Sequence, residues 1–108
     1  MVRVEIPVAI AYGADVDLAL AKLIEVAQAQ EQVLEDPKPR ALFLGFGADR
    51  MNLELRVYSP DVEHTLAIRH DLHVAIERAF REAGIPFVPP PAAPAPAAAP
   101  SEPPAKRP

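Results

Sequence analysis

The 108-residue sequence contains no cysteine and no tryptophan, and only four glycines and two tyrosines. Without cysteine the chain has no disulfide framework, no thiolate metal site and no cysteine nucleophile, so it does not require an oxidising compartment. No apolar run approaches the ~20 residues of a membrane-spanning helix, and residues 1–12 lack the apolar block of a signal peptide. The chain as written is therefore expected to be soluble and cytoplasmic, and its 11.7 kDa predict one folded domain.

Basic residues are also fewer than acidic ones. The sequence has eleven lysines and arginines but fifteen aspartates and glutamates, so its net charge is -4 and its isoelectric point is near 5.3. Proteins that bind nucleic acid need basic surfaces for the phosphates, and many also stack the bases on aromatic side chains. The sequence offers neither, and we expect no nucleic-acid partner.

The last twenty residues differ sharply in composition from the rest. Residues 89–108 contain nine of the fourteen prolines together with seven alanines. Repeated proline fixes φ and removes backbone donors, which favours extended polyproline II over helix or sheet. We interpret this segment as a disordered, semi-rigid Pro/Ala tail, and the alternative is a ligand of an SH3- or WW-like groove. Residues 1–88 must then carry the fold.

A period-two pattern covers the first twelve residues. Every second position is apolar or aromatic, which predicts a strand; these positions are Val2, Val4, Ile6, Val8, Ile10 and Tyr12. Pro7 interrupts the pattern because proline cannot donate to a β-ladder. The sequence therefore predicts two strand pieces, residues 2–6 and 8–12, which need not belong to the same sheet.

Helical spacing occurs twice. Asp15 is placed to cap a first helix that ends near Gln30 and has apolar residues at Val16, Leu20, Leu23 and Ala27. The Ser59-Pro60-Asp61 string is typical of a helix start, and Gly84 is typical of a helix end. Between them one apolar stripe contains Ile68, Leu72, Ile76, Ala79, Phe80 and Ala83. Both helices are thus predicted to bury one face.

Two β-rich runs, residues 41–47 and 51–58, flank a short loop and predict an antiparallel hairpin. In the second run Leu53, Leu55 and Val57 should face the core, while Asn52, Glu54 and Arg56 face the other side. Residues 85–88 complete the order strand, helix, strand, strand, helix, strand. This order predicts an α+β, ferredoxin-like split βαβ sandwich with both helices on one face of an antiparallel sheet.

Residues of chemical interest are few. The sequence has no phosphate-binding loop and no dinucleotide fingerprint, and the lone G-x-G at Gly45 to Gly47 precedes a hairpin rather than a helix. His70 and His73 lie about 60° apart on a helix, while His64 falls on another side. Two histidines make an incomplete zinc site, so a solvated helix face is the preferred interpretation. We predict no catalytic, cofactor-binding or metal site, and no enzymatic activity.

Several strings, in the right order and spacing, resemble the C-terminal cytoplasmic α/β domain of the small-conductance mechanosensitive (MscS-type) ion channel family. Residues 3–15 (RVEIPVAIAYGAD) resemble the crossing from the family's middle β domain into this domain. The later strings are VLEDPKP at 33–39, LGFGAD at 44–49, LELRV at 53–57 and AIERAFREAGI at 75–85. Taken end to end, the resemblance extends over residues 2–88.

The resemblance implies a structural role. It identifies residues 1–6 as a remnant strand of an upstream β domain, residues 7–88 as the α/β domain and residues 89–108 as the tail. Seven such domains would form the wall of a solute-filtering vestibule on the cytoplasmic side of the inner membrane, as part of the response to osmotic shock. Family members carry their transmembrane helices upstream, and many add a further strand to a small barrel after the last strand. Here residues 85–88 lead directly into the Pro/Ala tail.

The resemblance also implies partners. We expect a homo-oligomer, a heptamer, in a complete channel and a monomer for this chain alone, with membrane attachment only through upstream helices that the sequence lacks. The alternative is a free-standing ferredoxin-like module that binds a small molecule or a protein, because architecture alone does not identify function.

Overall fold

Alternating apolar residues build a three-stranded antiparallel sheet, and two amphipathic helices pack on its apolar face. The computed structural model describes residues 1–88. Its elements are β1 (Val2–Ile10), α1 (Val16–Gln28), β2 (Arg40–Phe46), β3 (Met51–Ser59) and α2 (Thr65–Ala83), and the strand order is β1-β3-β2. The α+β class and the antiparallel hairpin are confirmed. The disordered tail predicted for residues 89–108 lies outside the described residues.

β1 is one continuous strand. It pairs with β3 in unbroken antiparallel register, from Val2 opposite Ser59 to Ile10 opposite Met51. The prediction of two strand pieces separated at Pro7 is therefore wrong. The division of the chain at that residue into two domains stays a prediction, although both halves of β1 belong to the same sheet.

The direction of the Pro7 backbone explains why the strand continues. The Ala9 carbonyl accepts from the Val88 N–H (3.0 Å), and the Ala11 N–H donates to the Pro86 carbonyl (3.1 Å), both on the side of β1 away from β3. Because backbone direction alternates along a strand, Pro7 points the same way as Ala9. Its missing N–H therefore faces the outer side of β1 and costs no hydrogen bond to β3.

Residues 85–88, predicted to be the last strand, form only a single antiparallel bridge, in which Phe87 pairs with Ile10. The Ala11 N–H donates to the Pro86 carbonyl, but Pro86 has no N–H with which to donate in return. The pairing beside the bridge is therefore incomplete. The segment still lies beside β1, which is the place of the fourth strand in the ferredoxin-like order.

Helix α1 begins as the sequence predicts. The Asp15 side chain caps it by accepting a hydrogen bond of 3.0 Å from the Leu18 N–H. Its buried residues are Ala19, Leu23, Val26 and Ala27. The predicted core positions Val16 and Leu20 are only partly buried, so the buried stripe is rotated slightly from the one that the spacing indicated.

Helix α2 begins later than predicted, because residues 59–61 form a turn rather than a helix cap. The buried Ser59 hydroxyl donates to the Asp61 carbonyl (2.6 Å), and the Asp61 side chain accepts from the His64 N–H (3.0 Å). The helical end is confirmed. Gly84 has a positive φ of 72° and terminates the helix, and the next N–H, that of Ile85, donates to the Phe80 carbonyl (2.9 Å).

One apolar core joins the sheet to both helices. The largest fully buried side chains belong to Val4, Ile6, Ile10, Leu23, Leu53, Leu55, Val57, Ile68, Leu72 and Phe80. As the sequence predicts, β3 buries alternate residues along its whole length. Within residues 1–88, neither helix combines the length and apolar character needed to cross a membrane.

Candidate functional site

The face of the sheet opposite the helices is polar, and we call it the polar sheet face: the side chains of Arg3, Glu5, Asn52, Glu54 and Arg56. These residues alternate with core residues in β1 and β3, which confirms the orientation predicted for the three residues of β3. The register places Glu5 directly opposite Arg56. Opposite charges on neighbouring strands attract each other, so this face is organised by ion pairs.

Arg56 is the centre of this ion-pair network. Its Nε lies 2.5 Å from the Glu54 Oε2 and 3.8 Å from the Glu5 Oε2, and the Arg3 Nε lies 3.1 Å from the same Glu5 oxygen. The hydrogen bond to the Glu54 carboxylate raises the pKa of Arg56 above its ordinary value. Arg56 therefore stays charged, and two carboxylates balance its charge.

Strand β2 places another arginine beside this network. Arg40 pairs with Arg56 in the register of β2 and β3, so two guanidinium-bearing residues lie opposite each other. Like charges directly opposite on neighbouring strands destabilise a sheet. The carboxylates of Glu54 and Glu5 beside Arg56 reduce this repulsion. The polar sheet face therefore contains charges of both signs rather than a strong excess of negative charge.

A second surface is aromatic and lies where the β2–β3 hairpin meets the end of β1. We call Tyr12, Phe43 and Phe46 the hairpin aromatic cluster. The Phe46 side chain is 74% exposed, Tyr12 49% and Phe43 37%. The rings of Tyr12 and Phe46 are nearly parallel with centroids 6.3 Å apart, and Phe43 meets Phe46 edge-on at 5.1 Å. The cluster therefore exposes large apolar rings to solvent.

The hairpin positions these rings through an irregular register. A bulge between Phe43 and Gly45 puts one extra residue into β2, so Phe43 pairs with Leu53 and Phe46 with Met51. Without the bulge, residues three apart would lie on opposite faces of the sheet. The bulge brings both phenylalanines to the same face, beside Tyr12.

Hydrogen bonds stabilise the conformation of the hairpin loop. The Gly47 N–H donates to the Arg50 carbonyl (2.6 Å), and the Tyr12 hydroxyl donates to the Gly47 carbonyl. The Arg50 guanidinium bonds both oxygens of Asp49 at 2.8 and 3.2 Å, and this interaction lowers the pKa of the Asp49 carboxyl. A side chain at Gly47 would approach Arg50 within 3.0 Å, so this loop conformation favours glycine there.

A depression of about 800 Å³ extends from Phe46 to Val88. Its lining includes Gly45, Asn52 and Ala9, which follow one another across β2, β3 and β1 in the strand register. His73, Ile76 and Glu77 of α2 line it as well. The depression thus links the hairpin to the last described residues of the chain.

The histidines do not converge. The His73 Nδ1 donates to the carbonyl of Arg69 in its own helix (2.7 Å), and the His64 Nδ1 lies 2.6 Å from the Asp61 Oδ1. That hydrogen bond lowers the pKa of Asp61. Within residues 1–88, no group of three histidine or carboxylate side chains has metal-binding geometry. The expected absence of catalytic and cofactor sites stays a prediction.

Sequence reasoning identified the polar sheet face but missed the hairpin aromatic cluster. Strand periodicity interprets Phe43 and Phe46 as residues of opposite faces, whereas the bulge puts them on one face. The signal in the sequence was the glycine at 45 between two phenylalanines, because glycine inside a strand often marks a bulge.

Comparison with known proteins gives a consistent result. Residues 4–87 match the family model of the C-terminal domain of the mechanosensitive ion channel MscS. An MscS family protein of Haemophilus influenzae is 40% identical over 85 residues, which are 79% of this chain and 8% of that protein. The mechanosensitive channel MscK of Escherichia coli K12 is 34% identical over 56 residues, which are 52% of this chain and 5% of that protein.

Among solved structures, the closed-state crystal structure of Helicobacter pylori MscS has a TM-score of 0.74 with this chain at 21% sequence identity. The match covers 81% of this chain and 34% of that chain. This likeness supports the fold. The chain spans less than a tenth of the length of the curated relatives that it matches.

Proposed function

Because this chain belongs to the MscS family of mechanosensitive ion channels, we propose that residues 4–87 form a wall segment of the solute-filtering cytoplasmic vestibule of such a channel. The observation that carries the proposal is the match of nearly the whole described fold to the family's C-terminal domain. The role is structural and requires no catalytic group. It places the domain on the cytoplasmic side of the inner membrane and in the response to osmotic shock.

In this role the chain would be one part of a larger assembly. The matched relatives are more than ten times longer than the region of similarity, so their remaining length would supply the membrane-spanning part. In the longer protein, residues 1–6 would provide the connection from an upstream β domain. Their participation in β1 would anchor that connection to the core of this domain.

The polar sheet face suits an aqueous wall. Its paired charges, centred on Arg56, lie on a surface that neither helix of residues 1–88 covers. Fixed charges on such a wall influence which ions accumulate beside it. We assign this face to the water-filled side of the vestibule, where Glu5, Glu54 and the arginines would set the local potential.

A segment swap tests the proposal. The 85-residue segment of the Haemophilus influenzae relative that matches this chain would be replaced by the corresponding residues of this chain, in a host that lacks its own mechanosensitive channels. We expect the chimera to reach the membrane and to protect cells from osmotic downshock. The control chimera carries an unrelated ferredoxin-like domain of the same length and should not protect. Membrane-localised swap protein that gives no more protection than the control would contradict the proposal.

The second candidate is a free-standing binding module, which the depression of about 800 Å³ favours. It predicts that the purified chain binds a small molecule or protein, and that binding changes the amide NMR chemical shifts only of residues around the depression, such as Asn52 and Phe46. An amide NMR screen of the full chain measures this. Binding in that screen together with failure of the segment swap would favour the module over the channel wall.

A further inference from the structure

We propose that strand β2 is an interaction edge that binds β2 of a second copy of the chain, so that two sheets join across a two-fold axis at Leu42. The inference goes beyond the proposed function. A two-fold contact closes on itself in a pair, whereas a ring of identical wall segments needs a head-to-tail contact. The β2 edge would therefore join domains of two separate assemblies.

The sheet has two outer edges, and β1 forms the one that is largely closed. Residues 85–88 bond the outward main-chain groups near the end of β1. Farther along this edge Pro7 has no N–H, and the Arg69 guanidinium bonds the Glu5 carbonyl. These features leave β1 few donors and acceptors for a further strand. A second copy that adds a strand to the sheet therefore has β2 as its docking edge.

The pairing of β1 with β3 fixes the backbone direction of β3. The Ala9 carbonyl accepts from Val88 on the outer side of β1, so the neighbouring Val8 directs its N–H and C=O toward β3. Its partner there is Leu53, which therefore faces β1. Because backbone direction alternates along a strand, the next residue, Glu54, directs its N–H and C=O toward β2.

The same alternation identifies the outward groups of β2. Leu42 is the partner of Glu54, so its N–H and C=O bond within the sheet. Ala41 and Phe43, on either side of Leu42, therefore direct their N–H and C=O groups away from β3. Within residues 1–88, no main-chain group outside the sheet pairs with them. These groups are available to a further strand.

One antiparallel register satisfies all of these outward groups. With the two-fold axis at Leu42, Ala41 of each copy pairs with Phe43 of the other, and each pair exchanges an N–H and a C=O in both directions. An axis at Ala41 would instead place Phe43 opposite Pro39, which has no N–H. An axis at Phe43 would place Ala41 opposite Gly45, which pairs with β3. The edge is therefore complementary to itself at Leu42.

The side chains of β2 are compatible with this register. Leu42 lies beside its own symmetry copy, and Phe43, which is 37% exposed, lies beside Ala41 of the other copy on the opposite face. Arg40 is the charged residue of β2. The register separates the two Arg40 residues by four positions, or about 14 Å, so salt largely screens their repulsion.

The contact is short and therefore weak. Natural sheets protect open edges with charged residues, proline or bulges. In β2 the bulge after Phe43 and the charge of Arg40 limit the open part to residues 41–43, which contain neither charge nor proline. A contact of this length should bury less than the roughly 1,000 Å² of a stable specific interface, so we expect pairs at about millimolar concentration and monomers at micromolar concentration.

NMR of the full chain at two concentrations measures the pairing. Between about 0.05 and about 1 mM, amide hydrogen exchange of Ala41 and Phe43 should slow by about 1.5-fold or more, because pairing protects their N–H groups. A mixture of isotope-labelled and unlabelled chain should show a contact between the Leu42 Hα atoms of the two copies. Exchange that is independent of concentration would overturn the proposal; slow exchange at both concentrations would mean that the chain's own residues cover the edge.

A charge swap at the axis identifies the surface. Leu42→Lys should abolish the concentration dependence, because it places two like charges opposite each other on neighbouring strands. Within its own sheet the new lysine lies opposite Glu54, a residue of opposite charge, so the monomer should fold. Leu42→Glu alone should also lose the contact, and an equimolar mixture of the two variants should regain it.

The matched control is Leu66→Lys, which introduces the same charge at a residue of α2 that is 77% exposed. It should pair as the parent chain does. Pairing that persists in Leu42→Lys alone would contradict the proposed axis. Failure of the mixed variants to regain the contact would contradict it as well, because opposite charges at the axis attract each other.

Discussion

The Arg69 guanidinium donates a hydrogen bond of 3.0 Å to the main-chain carbonyl of Glu5, which lies 64 residues earlier in the sequence. Glu5 points its backbone in the same direction as Pro7 and Ala9, toward the outer side of β1. Within residues 1–88 no strand pairs with β1 at this point. Arg69 therefore satisfies a carbonyl at a sheet edge and ties helix α2 to that edge.

Replacement of Arg69 by alanine should lower the free energy of unfolding by about 1 to 2 kcal/mol, because a hydrogen bond from a charged donor is lost. Arg78→Ala on the exposed face of the same helix is the matched control and should change stability by less than about 0.5 kcal/mol. Urea unfolding of both variants measures the difference. Equal losses would show that the bond to Glu5 contributes nothing specific.

Truncation of Leu72 to alanine should cost about 2 to 5 kcal/mol, because its side chain is fully buried in the apolar core. Leu66 lies in the same helix and is 77% exposed, so Leu66→Ala makes the same chemical change in solvent. That control should stay within about 0.5 kcal/mol of the parent protein. A small loss for Leu72→Ala in chemical denaturation would mean that the helix faces the sheet with another side.

Alanine at Gly84 should destabilise the domain by about 1 to 2 kcal/mol. The position has φ of 72°, and a Cβ there would meet no atom within 4 Å, so the cost comes from backbone conformation and not from a clash. Asparagine tolerates the left-handed conformation better, and Gly84→Asn should lose less than Gly84→Ala. Thermal unfolding of the two variants compares them, and the reverse order would contradict this explanation.

The Glu77 carboxylate accepts two hydrogen bonds from Arg81, at 3.0 and 3.2 Å, and this interaction lowers the pKa of Glu77. Since the folded pKa lies below the unfolded one, the stabilisation is complete above the unfolded value and is lost as pH falls through the folded one. Carbon NMR of the carboxyl group should show Glu77 titrating below the usual glutamate range. Arg81→Ala should raise this pKa, whereas Lys22→Ala should leave it unchanged; the same pKa in all three proteins would refute the assignment.

The isolated 108-residue chain should be monomeric at micromolar concentration. A stable specific interface needs roughly 1,000 Å² or more of buried surface, and the polar sheet face offers paired charges rather than a large apolar patch. In a channel, tethering to a membrane part would raise the effective concentration of neighbouring copies. Light scattering should give a mass near 11.7 kDa. A stable species of seven times that mass would contradict the prediction and support a self-assembling vestibule.

Local patterns in the sequence determined most of the architecture. The alternation in β3, the Asp15 cap and the Gly84 helix end depend on neighbouring residues, and the structure confirms each of them. The composition change at Pro89 predicts a boundary between the folded domain and a tail, and this tail lies outside the described residues. The polar sheet face could be predicted for the same reason, because a period of two assigns every residue of β3 to one face.

Tertiary structure decided what depends on partners far away in the chain. Pro7 was interpreted as a strand break because its local pattern cannot show which side of the strand faces β3; the pairing with residues 51–59 turned its missing donor outward. The hairpin aromatic cluster required both the bulge in β2 and the approach of Tyr12, which is separated from Gly47 by 35 residues. Residues 85–88 formed one bridge, Phe87 with Ile10, and their place beside β1 depends on a strand some 75 residues earlier in the chain. In each case the deciding interaction joins segments that are distant in sequence, and a local pattern contains no information about their register.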